Sequence, residues 1–94
     1  MIRHIVLYRL REENKEKSIA RMKEKLEALV GQVEGLRTLT VRPDCNTHSY
    51  DVCLVAEFDS PDALHYYKKH PAHVAASDYV HTVMIDRAAF DYEL

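Results

Sequence analysis

Asp59-Ser60-Pro61-Asp62-Ala63-Leu64-His65-Tyr66-Tyr67-Lys68-Lys69-His70-Pro71-Ala72-His73-Val74-Ala75-Ala76-Ser77-Asp78-Tyr79-Val80 is the stretch on which the fold turns. It opens as a helix does. Ser60 is an N-cap whose side chain can accept a first-turn N–H. Pro61 suits the first helical position, and Asp62 favours the positive end of the dipole. The residue before a proline is pushed out of the α region, so the helix should stop at His70. Pro71 then starts a second, short helix with His70 at its cap. Tyr67 lies one turn before this break and His73 just after it. A phenol and an imidazole are thereby aimed at one cavity.

Working outward, Tyr50 to Phe58 reads as the strongest strand. Val52, Leu54, Ala56 and Phe58 form one face, and Cys53, Val55 and Glu57 the other. Thr82 to Tyr92 is a further strand, with an imperfect alternation that predicts a bulge at Asp86 to Ala88. Leu36 to Arg42 is β-prone, and Pro43 ends it. Ile19, Met22, Leu26, Leu29 or Val30, and Val33 make one helical stripe. Asn14 is its candidate N-cap; Gly31 ends it, or Val33 extends it by a turn. Ile2 to Leu10 alternates, with His4, Val6, Tyr8 and Leu10 opposite Ile5, Leu7 and Arg9. The order β-α-β-β-α-β is the ferredoxin-like α+β pattern, an antiparallel sheet with helices on one face. The other face then carries Ile5, Leu7, Cys53 and Val55, which a second subunit's sheet would cover.

Ninety-four residues make a single domain, spanning 1–94. The net charge of -2, with acids and bases interspersed, gives no electrostatic case for nucleic acid or a membrane surface. No apolar run approaches a membrane span, and the start of the chain is too short and polar for a signal peptide. A cytoplasmic location is the expectation. Cys45 and Cys53 fit neither zinc nor redox spacing and read as free thiols. The two glycines argue against a nucleotide-cradling loop.

Three segments resemble the stress-responsive dimeric α/β-barrel (Dabb) family. They are Arg3-His4-Ile5-Val6-Leu7-Tyr8-Arg9-Leu10, then Val55 to Leu64 continued by Tyr67 and His70-Pro71-Ala72-His73-Val74, and Phe90-Asp91-Tyr92-Glu93. The resemblance implies a homodimer whose two sheets form a barrel, with a pocket in each subunit between sheet and helices. A few plant members of the family are polyketide cyclases that use general acid–base chemistry without a redox cofactor. Their catalytic tyrosine and histidine match Tyr67 and His73, and a pocket histidine matches His4. A further pocket histidine of that group falls at Val52, and their aromatic lining falls at Met22, Lys23 and Leu26, so this chain departs from the cyclase pattern. Some family structures hold magnesium on backbone carbonyls matching Val30, Val33 and Leu36.

Two readings of the central pair follow. In one, Tyr67 donates its hydroxyl to His73 as a satisfied core pair. In the other, His73 is a general base and Tyr67 holds a developing enolate oxygen. The expected pocket is His4, Val6, Tyr8, Met22, Leu26, Leu54, Tyr67, His73 and Met84: apolar walls with polar groups at one end. The expected ligand is an apolar carbonyl or phenolic metabolite, bound without an organic cofactor. The alternative is a cofactor-free enzyme of cyclase, isomerase or monooxygenase type. His70 and His73, with His65, His81 or Asp78, are a weak zinc pattern because Pro71 turns the chain between them.

Overall fold

A computed structural model describes residues 1–94. The elements are β1 (Ile2–Leu10), α1 (Lys15–Glu27), β2 (Leu36–Pro43), β3 (Val52–Phe58), α2 (Pro61–Lys69), α3 (Pro71–Val83) and β4 (Met84–Glu93). The strands form one sheet in the order β2-β3-β1-β4, and every neighbouring pair is antiparallel. This is the ferredoxin-like arrangement expected from the sequence. No helix is long and apolar enough to cross a membrane.

The alternation in β1 and β3 decides which face is the core. Ile2, His4, Val6, Tyr8 and Leu10 are buried, as are Val52, Leu54, Ala56 and Phe58. Register places Val6 opposite Leu54 and His4 opposite Ala56, so both sets share one face. Met22, Leu26, Leu29 and Val33 from α1 and its following turns, with Leu64, Tyr67, Ala76 and Val80 from α2 and α3, complete the core cluster. The opposite face is barely covered. Leu7 and Phe90 stand 36% and 66% exposed there, with Ile5, Cys53 and Val55 part-buried between them.

The helix break is built as the local chemistry dictates. Ser60 Oγ accepts the Ala63 N–H at 3.1 Å. His70 is extended, with ψ of 134°, and its Nδ1 accepts the Ala72 N–H at 3.0 Å. One residue thus ends α2 and caps α3. Gly35 occupies the left-handed region at φ +88°, and a Cβ there would meet the Ala63 Cβ at 2.6 Å. Its absence lets the start of β2 lie against the first turn of α2.

Five expectations are corrected. The helix after Pro71 is not short; it runs 13 residues and takes in Thr82 and Val83. Once α3 buries Ala76 and Val80 against the core, the α conformation persists beyond them, so β4 begins at Met84. The irregularity in β4 falls at Ile85, because Arg9 pairs with Asp86 and Leu10 with Met84. Tyr50 lies outside β3, where Asp51 instead anchors the chain, its N–H on the Tyr8 carbonyl and its carboxylate on the Leu10 N–H. Asn14 occupies the N-cap position of α1 in a left-handed conformation without a side-chain cap bond. At the other end, α1 stops at Glu27, and turns carry Leu29 and Val33 into the core.

Candidate functional site

Between the inner face of β1 and β4 and the α2–α3 pair lies a cavity of about 300 Å³. His4, Tyr8, Leu26, Leu54, Tyr67, His73 and Met84 line it. Val6 and Met22, the other two residues expected at a pocket, are 1% and 0% exposed in the core and do not reach it. Lys68, Ser77, Val80, His81, Arg87, Ala89 and Asp91 line it as well, and sequence reasoning did not single these out for a pocket. For Arg87, Ala89 and Asp91 a signal was present. They alternate on the strand that pairs with β1, and register sets them beside Tyr8, Val6 and His4.

Tyr67 is 2% exposed, with its ring between Phe58, centroids 4.9 Å apart, and His73, at 4.1 Å. The rings of Tyr67 and His73 are tilted at 38° to each other, and no hydrogen bond joins them. The expected hydroxyl–imidazole bond is therefore absent. His73 Nδ1 instead lies 3.3 Å from the Lys68 carbonyl oxygen. A carbonyl only accepts, so Nδ1 carries the proton and a neutral ring leaves Nε2 as the free lone pair. The Tyr67 hydroxyl has no protein partner, and no buried side-chain polar atom is orphaned, so this hydroxyl opens to the cavity.

Electrostatics separates the two groups further. Burial pushes the Tyr67 phenol well above its usual range, and the nearby Tyr8 phenol adds to this. Burial likewise raises Tyr8, against the pull of the Arg87 guanidinium. His73 is held below the ordinary imidazole value, chiefly by burial; the Lys68 carbonyl bond pulls the other way, and the nearby Arg87 and Lys68 charges add to the lowering. At neutral pH the site offers a phenol that stays protonated and an imidazole that stays neutral: a donor beside a base.

His4 forms the floor. It is 5% exposed, edge-on to Phe58, and its Nδ1 donates to Asp91 Oδ1 at 2.5 Å. The carboxylate sets the imidazole tautomer from the neighbouring strand.

Of the remaining candidates only His81 reaches the cavity. His65 is exposed on α2, His70 is occupied as a cap, and no three His, Cys, Asp or Glu side chains converge on a common point. Of the carbonyls considered for magnesium, that of Val33 accepts the Leu36 N–H at 3.2 Å; Val30 is exposed, and Leu36 begins β2 opposite Phe58. Cys45 and Cys53 are unbonded.

Comparison with known proteins adds context. The family model for the stress responsive A/B barrel domain matches residues 2–94. A dimeric protein of unknown function and ferredoxin-like fold from Bacteroides fragilis is 33% identical, with a TM-score of 0.91 over 99% of this chain and 95% of that one. A dimeric ferredoxin-like protein of unknown function from Thermobifida fusca is 27% identical, with a TM-score of 0.86 over 99% and 90%. Hydroxynitrile lyase from Passiflora edulis, 13% identical, shares the fold alone, with a TM-score of 0.84 over 97% of this chain and 90% of the lyase. No curated protein matches the sequence.

Proposed function

Since the chain belongs to the stress responsive A/B barrel family, we propose that it is a homodimeric small-molecule-binding protein. Its cavity receives an apolar metabolite bearing a carbonyl or phenol. The observation that carries this reading is the Tyr67 hydroxyl. It is a protonated donor with no protein partner, at the end of a cavity walled by Leu26, Leu54, Val80 and Met84. Buried polar groups are normally satisfied within the protein, and one left open to an apolar cavity is suited to a ligand. No redox cofactor takes part in this reading.

The test uses para-hydroxyacetophenone as probe. At 100 times its dissociation constant it should stabilise the fold by about 2.7 kcal/mol, read as a rise in melting temperature. Tyr67→Phe keeps the ring between Phe58 and His73 and removes only the hydroxyl, so it should stay folded and bind more weakly, by about 0.5–1.5 kcal/mol. His73→Ala should remain folded and lose most of the shift. A His73→Ala protein that does not fold makes the histidine structural, and unchanged binding in both variants puts the ligand elsewhere.

A second reading rests on the tautomer of His73. With Nδ1–H committed to the Lys68 carbonyl, Nε2 is free to take a proton from carbon beside a carbonyl, and Tyr67 O–H can hold the resulting enolate oxygen. The protein would then be a cofactor-free acid–base enzyme. Turnover of a β-keto substrate that disappears in the Tyr67→Phe, His73→Ala double variant favours catalysis over binding alone.

A further inference from the structure

The charges around the cavity do not balance. Arg87 and Lys68 both line it, together with His73 and His81. Neither Arg87 nor Lys68 enters an ion pair, which is also true of Arg11, Lys17, Arg21, Lys25, Arg42 and Lys69; what sets these two apart is that both line the cavity. The one acid in the lining, Asp91, is taken by His4. Register fixes Arg87 beside Tyr8 on the inner face of β4. From there its charge acts on both the Tyr8 phenol and the His73 ring, and Lys68 acts on His73 from α2. Two cations from separate elements, β4 and α2, thus line a cavity that also carries Leu26, Leu54, Val80 and Met84.

We infer that the site selects an anionic ligand: a small aromatic or aliphatic carboxylic acid whose carboxylate is held by Arg87, with Lys68 as a second positive charge. The inference rests on the binding reading above and narrows its ligand class. A planar guanidinium offers two parallel N–H groups to a carboxylate, a match that an ammonium lacks. The Tyr67 hydroxyl remains for a carbonyl or phenol elsewhere on the molecule. The leaving of Arg87 without an acid is costless to the fold because the side chain is exposed to water, and a ligand carboxylate would complete the pair.

The experiment compares para-hydroxybenzoate with para-hydroxyacetophenone, an uncharged molecule of similar shape, by calorimetric titration of the full chain at neutral pH and low salt. The acid should bind about tenfold more tightly than the ketone. Arg87→Met should abolish that preference, lowering the affinity of the acid about tenfold more than that of the ketone, and the unliganded melting temperature of the variant checks that it is folded. Arg87→Lys should restore only part of it. Inorganic phosphate should compete weakly; strong displacement of the acid by phosphate would reassign the site to phosphate esters and overturn the carboxylate. Equal binding of acid and ketone, or a preference that survives Arg87→Met, overturns the inference and leaves the binding reading intact. If neither molecule binds, the binding reading fails and this inference falls with it.

Discussion

His73 is restrained from two sides. The Lys68 carbonyl holds its Nδ1 proton, and the Tyr67 ring packs against it. Burial and nearby cations also lower its proton affinity below the unfolded value of 6.5. The consequence for stability has a definite sign. The unfolded chain takes up a proton on this ring as pH falls through 6.5, while the folded ring resists. Its contribution is therefore complete above that pH and is lost as pH falls toward the lower folded value. Denaturant midpoints measured at about pH 7.5 and about pH 5.5 should fall further for wild type than for His73→Gln, the other histidines being common to both. Equal falls would show that the ring is as easily protonated in the folded chain as in the unfolded one.

At the level of elements, the two glycines separate conformational need from space. Both lie in the left-handed region, at φ +92° for Gly31 and +88° for Gly35. Nothing lies within 4 Å of a Cβ at Gly31, whereas at Gly35 the Ala63 Cβ stands 2.6 Å away. Gly31→Ala should cost about 1 kcal/mol from backbone conformation alone. Gly35→Ala adds an overpacking term of about 1–3 kcal/mol. Chemical denaturation of the two variants gives the comparison, and similar losses would mean that α2 yields without cost. Such local devices were legible in the sequence. Ser60, Pro61 and Pro71 act within one turn, and alternation in Ile2–Leu10 and Val52–Phe58 repeats every second residue, so neither requires knowledge of distant partners. The contacts that sequence reasoning missed are of the other kind. Asp91 reaches His4 across 87 positions, and Arg87 reaches the cavity only through register with Tyr8. The Tyr67–His73 contact depends on how α3 leaves His70, and the length of α3 on core contacts made by Ala76 and Val80. Periodicity carries none of this information.

The whole chain measures 35 × 25 × 17 Å, its thinnest dimension suiting one sheet and one helical layer. The face away from the helices presents Ile5, Leu7, Cys53, Val55, Ala88 and Phe90, rimmed by the Arg3–Glu57 and Arg9–Asp86 pairs. An apolar centre with a charged rim is the make-up of a subunit interface. Sedimentation at micromolar concentration should give a dimer, and Leu7→Lys should give a folded monomer, because its side chain leaves the core untouched. A wild-type monomer would remove the support for two sheets closing face to face.

The His4–Asp91 contact also bears on the order in which the molecule assembles. β1 is a central strand whose neighbours, β3 and β4, both come from far along the chain. Contacts of such long span close late and slow the folding of small domains. The cavity floor thus exists only when the two ends of the chain have met, and a partly folded molecule has no site to fill. A ligand seated between His4, Asp91 and the α2–α3 pair would hold those ends together. Its effect should fall on the rate of unfolding, leaving the rate of folding nearly untouched, so that a filled cavity lengthens the lifetime of the native chain.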